Sequence, residues 1–141
     1  MFDRNALIAD LRRDEGVRSF PYTDTTGNIT IGVGRNLSAD GICAAELDAM
    51  LDRDIDMAQS YLDTTHAWWS KLDDVRQCAM MNMAFNLRNR LSEFVNFLAA
   101  MQAGEWAEAV VQMRNSTWAK QVGARATRLE GMILTGQSLP T

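Results

Sequence analysis

One histidine, two prolines and two cysteines are all that the 141 residues contain of those three types. Cys43 and Cys78 are far apart, in no metal-ligand spacing, and no cluster of other ligands supports them. Two buried or half-buried thiols are therefore expected, in a reducing compartment, in preference to a disulfide. No metal and no other cofactor is implied. The lone histidine, His66, lies near Trp68 and Trp69 and reads as a packing or surface residue. No apolar run approaches a membrane span, so no stable membrane insertion is expected. The opening Met1-Phe2-Asp3-Arg4-Asn5 lacks the basic-then-apolar plan of a secretory signal. The chain is expected to stay in the cytoplasm where it is made unless something else exports it. No basic run interleaved with aromatics supports nucleic-acid binding. Internal repeats, low-complexity tracts and linkers are absent too, and the prolines are Pro21 and Pro140 alone.

What is present is the composition of an ordinary soluble globule, 47% apolar and 23% charged. A chain of this length buries a real core, as one domain or as two lobes sharing a cleft. Charge is uneven along it. Residues 1–60 carry six Arg against eleven Asp and Glu, a net of −5, and residues 61–141 carry eight Lys and Arg against seven acids, a net of +1. An acidic region holds an anionic polymer poorly by bulk attraction, so any such substrate must be gripped locally.

Patterning divides the chain into kinds of structure. Phe2 and Leu7 bracket Asp3 as a staple around a helix cap, Leu7, Ile8 and Leu11 line one face, and Gly16 suits the helix end. Residues 17–34 turn to strand signals, with Ile29, Ile31 and Val33 alternating after an Asp24-Thr25-Thr26-Gly27 turn. A small antiparallel sheet of two or three strands follows from this. Cys43 and Glu46 have capping-box spacing, and Leu47, Leu51, Ile55, Ala58 and Leu62 predict a long helix of about five turns. Asp73 caps a helix that is apolar nearly all round from 78 to 85, as a central core helix is. Helices from Ser92 to Gly104, around Trp106 to Met113, around Trp118 to Val122, and over Arg125 to Leu134 complete the chain. The class is α+β: a small sheet-bearing lobe, a long connecting helix and a larger helical lobe.

The chemistry concentrates in Arg13-Asp14-Glu15-Gly16-Val17-Arg18, Tyr22 to Gly27 and Asn28 to Gly34. Glu15 stands at the end of the first helix, where the negative end of the helix dipole and partial desolvation both favour a protonated carboxyl. Asp24 lies in a polar turn among threonines and is expected to stay ionised. Thr30 returns on the next strand, placed to face Asp24 and hold a water. An acid, an anion and a held water are the equipment of glycoside hydrolysis; a water between the carboxyls points to inversion, with a separation of roughly 6.5–9.5 Å. Acidic residues at helix ends and turn starts are also common for purely structural reasons, and Asp-Thr-Thr-Gly is a good turn by itself.

The pattern Arg-x-Asp-Glu-Gly-x-Arg, Tyr-x-Asp-Thr-x-Gly and Thr-Ile-Gly-x-Gly, here between Arg12 and Gly34, resembles the phage-type lysozyme family, the endolysins related to the T-even phage lysozyme. The likeness continues in order through Asp74 to Ala79, Asn82 to Asn86, Ala103 to Ala109, Trp118, and Arg125 to Arg128. The segment after Arg35 looks shortened. The resemblance implies a single lysozyme-like domain over 1–141, with a small lobe over about 15–60 and a helical lobe over about 61–141 that includes the N-terminal helix 3–14. An active cleft would lie between them.

It further implies cleavage of the β-1,4 bond between N-acetylmuramic acid and N-acetylglucosamine in peptidoglycan. Carried over by residue, Glu15 is the acid, Asp24 the second carboxylate and Thr30 the water-positioning hydroxyl. Phe85, Asn86 and Gln112 fall where the family's helical lobe faces its sugar chain, Phe85 reading equally well as core, while Gly32 and Gly34 suit either a close backbone approach to sugar or plain relief of crowding in the sheet. Arg125 matches an arginine that reaches from the helical lobe to the catalytic Glu. Arg35 replaces a histidine that T-even members pair to an aspartate, and Asp54 aligns with that aspartate, so an Arg35–Asp54 pair is expected. Arg88 and Arg90 stand in a loop where the family commonly has a glycine. The function implied is bacterial lysis by a monomeric phage endolysin that reaches the wall through a holin-type pore. A virion-associated or prophage-borne enzyme is a variant of this. A non-catalytic wall-binding or scaffolding domain is the alternative of another class.

Overall fold

The computed structural model describes residues 1–138, with Pro140 beyond them. Two compact units divide the chain, Met1–Ala49 and Met50–Thr141. The first begins with helix α1 (Arg4–Glu15), which Asp3 opens as expected: its Oδ1 accepts the N–H groups of Asn5 and Ala6 at 2.9 and 3.1 Å. Gly16 closes it, donating its N–H to the Arg12 carbonyl at 3.1 Å. Strands β1 (Arg18–Thr23), β2 (Ile29–Gly32) and β3 (Arg35–Asn36) form an antiparallel sheet in that order. Tyr22 lies opposite Thr30, Thr30 opposite Asn36, and a bulge interrupts β1 between Arg18 and Tyr22. A one-turn helix, α2 (Leu37–Asp40), follows, capped by the Asn36 side chain on the Ala39 N–H.

The long helix α3 (Ala44–Thr65) starts in this unit and continues into the next. Its N-terminus carries half of the predicted capping box: Cys43 donates its N–H to Glu46 Oε2 at 2.8 Å. Cys43 is exposed there, and so is Cys78; both are free thiols. The expectation that they would be buried or half-buried is therefore corrected. Cys43 sits at a helix mouth, and Cys78 points off the apolar face of its helix.

The second unit holds the apolar core. After a 3₁₀ turn at Ala67–Lys71 come α4 (Asp74–Leu87), a second 3₁₀ segment at Arg88–Glu93, then α5 (Val95–Ala103), α6 (Trp106–Arg114), α7 (Thr117–Val122) and α8 (Ala124–Thr135). Helix α4 is central, burying Ala79, Met80, Met83, Ala84 and Leu87. Around it Leu62, Leu91, Phe97, Met101, Met113 and Ile133 are also fully buried. Methionine supplies much of this packing because its unbranched, polarizable side chain fills irregular gaps. The fifth helix starts at Val95 and not at Ser92. Ser92 is in the 3₁₀ segment, its hydroxyl shared with Tyr61 and His66, so it does not serve as a cap. Among the described residues, no helix is long and apolar enough to cross a membrane.

Candidate active site

Within the first unit, Glu15 ends α1 and its side chain lies against the backbone of Gly34. A Cβ added at Gly34 would stand 2.8 Å from Glu15 Oε2 and 3.1 Å from its Cδ. Gly34 also has φ +71, which L side chains adopt at a cost. Two separate constraints thus demand glycine at this one position. Glu15 is exposed, so the partial desolvation expected at the helix end is not supplied here.

Asp24 opens the β1–β2 turn and is half-buried. Its Oδ1 accepts three hydrogen bonds, from the Thr26 N–H at 2.9 Å, the Thr26 hydroxyl at 2.9 Å and the Asn28 N–H at 2.8 Å. The Asn28 amide foremost, and then the Thr26 hydroxyl, hold this carboxyl below its usual range, as an ionised aspartate requires. The turn is closed by the Asp24 N–H donating to the Asn28 carbonyl at 2.8 Å. That carbonyl also receives the Thr30 hydroxyl at 3.4 Å. Asn28 therefore links Asp24 to Thr30 through its own backbone. Thr30 is 4% exposed and is the one buried residue described in this unit. Beside them, the Arg18 guanidinium lies 4.5 Å from the centre of the Tyr22 ring.

Arg35 does not pair with Asp54. Its guanidinium forks onto Glu46, at 2.7 and 3.0 Å, and also donates to the Gly41 carbonyl at 3.3 Å. Glu46 is fixed already by the Cys43 N–H, so it presents both oxygens to a bidentate arginine. Arg35 first, and that amide next, bring the Glu46 carboxyl down to about 2. The capping-box spacing marks Glu46 in the sequence, although nothing there names its cation.

In the second unit, Phe85 is 37% exposed, which rules out the plain core role. It walls a cavity of about 260 Å³ with Met57, Tyr61, Asp54 and Arg88. Asn86 accepts the buried Trp118 indole N–H on Oδ1 at 2.7 Å, which fixes its amide. Gln112 donates to Glu108 at 2.7 Å, one helical turn back. Arg125 donates to Asn82 twice, to Oδ1 at 2.8 Å and to the carbonyl at 3.2 Å. Asn82 and Trp118 are thus positioning partners that spacing alone does not mark. His66 shares hydrogen bonds with Tyr61 and Ser92, and burial lowers its affinity for a proton.

Comparison with known proteins gives these sites a context. The family model described as phage lysozyme matches residues 12–134. The chain belongs to the phage lysozyme family. The matched span takes in Glu15, Asp24, Thr30 and Gly34 of the first unit and Phe85, Asn86, Gln112 and Arg125 of the second. Probable T4-type lysozyme 1 of Dictyostelium discoideum is 30% identical, over 89% of this chain and 92% of that protein. The pre-baseplate central spike protein Gp5 of Enterobacteria phage T4 is 32% identical over 89% of this chain, which spans 27% of that longer protein. Probable T4-type lysozyme 2 of Dictyostelium discoideum is 26% identical, again over 89% of this chain. In this phage lysozyme family member Arg35 finds its anion, Glu46, in the first turn of α3.

Proposed function

We propose that the chain is a peptidoglycan hydrolase, a muramidase cutting the β-1,4 bond between N-acetylmuramic acid and N-acetylglucosamine with inversion. Glu15 protonates the leaving oxygen, while Asp24 remains anionic and, with Thr30, orients the attacking water. One observation carries this reading: all three hydrogen bonds to Asp24 fall on Oδ1. They keep the carboxylate ionised and leave Oδ2 to take a proton from water. Gly34 gives Glu15 room beside the backbone. Phe85, Asn86 and Gln112 contact the sugar chain, and Arg125, held by Asn82, is the supporting cation. The protein acts as a monomeric phage endolysin, held in the host cytoplasm until a holin-type pore admits it to the wall.

Likeness to a central spike protein favours a second reading, in which the same enzyme travels on the virion. Blotting purified virions for the protein separates the two. A non-catalytic wall-binding domain is the reading to defeat. Wall clearing by the wild type should fall by at least about 10²-fold in Glu15→Gln and in Asp24→Asn, the scale of a lost acid or base. Undiminished clearing by both variants ends the catalytic assignment, and no clearing by wild type favours the scaffold. Mass spectrometry of digested wall should show reducing muramic acid ends, and early proton NMR should show the α-anomer. Anhydro ends would mean a transglycosylase, and an initial β-anomer a covalent intermediate.

A further inference from the structure

Arg88 stands out on two independent grounds. It is the one non-glycine residue with positive φ among those described, at φ 55 and ψ −136, where it ends α4. This region is nearly reserved for glycine, and a large side chain held there signals a role outside the fold's own needs. Arg88 also walls the cavity shared with Asp54, Met57, Tyr61 and Phe85, two residues beyond Asn86. The ion pairs among the described residues engage Arg13, Arg35, Arg76 and Arg114, so the Arg88 guanidinium is left unpaired. An exposed cation thus stands in the lining of a largely apolar cavity that carries one carboxylate, Asp54.

We infer that Arg88 is a specificity-determining residue that takes a carboxylate of the peptide stem on the wall glycan. The inference rests on the proposed substrate class. A bare glycan of N-acetylglucosamine units offers no anion, whereas the stem offers free carboxylates flanked by apolar side chains. A guanidinium beside Phe85 and Met57 matches that combination, and Asp54 complements a free stem ammonium. Glycine at this position would fit the backbone better but would not discriminate stem-bearing from bare glycan.

Binding tests this without requiring turnover, so it is separable from the catalytic reading. With the Glu15→Gln protein, affinities are measured by NMR titration for a wall tetrasaccharide bearing stem peptides and for a tetrasaccharide of N-acetylglucosamine, a bare glycan that carries no carboxylate. The stem-bearing probe should bind more tightly. Adding Arg88→Gly should weaken it about ten-fold, the scale of one charge-assisted hydrogen bond, and should change the bare probe less than two-fold. Arg88→Lys should recover part of the loss. Because glycine suits the backbone, Arg88→Gly should melt no lower than its parent. Equal loss on both probes, no loss on either, or no initial preference for the stem-bearing probe overturns the inference. If stem preference through Arg88 is found but wild type cleaves nothing, the hydrolase reading fails and this one stands.

Discussion

The two units are held together by different physics. Among the described residues, the single buried one in Met1–Ala49 is a threonine, while all twenty buried hydrophobic ones lie in Met50–Thr141. The first unit relies on directed polar contacts: the Asp3 cap, the three hydrogen bonds on Asp24 and the Arg35–Glu46 fork. The second relies on close-packed apolar volume around α4. Burial is non-directional and sums over many small contacts, whereas each polar contact fixes one atom in one place. The acid, the anion and the buried hydroxyl proposed for chemistry are therefore in the unit that specifies geometry, and stability is concentrated in the other.

Substitutions should expose that contrast in graded steps. Phe97, 1% exposed, should cost about 3–5 kcal/mol when replaced by alanine, read as a lower urea midpoint; a loss below about 1 kcal/mol would break the comparison. Arg76→Ala tests a polar clamp inside the apolar unit. Its guanidinium, with the side chain 12% exposed, donates to the Ile133 carbonyl at 2.7 Å, pairs with Asp73 at 2.8 Å and lies 4.1 Å over the Trp106 ring. About 2–3 kcal/mol should be lost, because a charged hydrogen-bond network is opened at a half-closed site. Less than 0.5 kcal/mol would mean that burial alone holds α4 to α8.

Gly34→Ala sharpens the comparison from the other side. The left-handed backbone should cost about 1–2 kcal/mol, and the new methyl must displace the Glu15 carboxylate from 2.8 Å. Wall clearing should fall at least about ten-fold, beyond what the melting shift explains. Unchanged clearing would detach Glu15's placement from the reaction. The smallest effect concerns acid. Glu46 titrates at about 2 instead of 4.5, so its contribution to stability is complete above about pH 4.5 and lost as pH falls through about 2. An NMR titration of its carboxyl should show that midpoint, and Arg35→Ala should move it back upward. A midpoint near 4.5 in the unaltered protein would remove the fork from solution.

Local chemistry was legible in the amino-acid order because its causes act over a few residues. Asp3, Gly16, Asp73 and Gly104 bound helices where the capping rules put them, and Asp24 to Asn28 forms its turn from its own side chain. The Arg12 to Gly34 motif carried the family for the same reason, since its spacing is a local pattern. Two of the misplaced readings, those at Arg35 and Ser92, concern partners distant in sequence. Arg35 meets Glu46 from eleven residues away, where the start of α3 presents that carboxylate to it, and no local rule names this partner. Ser92 has cap chemistry, yet Tyr61 and His66 claim its hydroxyl from about thirty residues away.

The sequence by itself determined most of the helices, the hairpin turn and the family. It did so through capping, turn chemistry and periodicity, which are written in neighbouring side chains. Tertiary structure alone decided which arginine meets which acid, that Gly34 is the surface on which Glu15 rests, and that Arg88 bears a glycine's backbone. Those outcomes depend on where elements far apart in the chain come to lie, and no short-range rule encodes that distance.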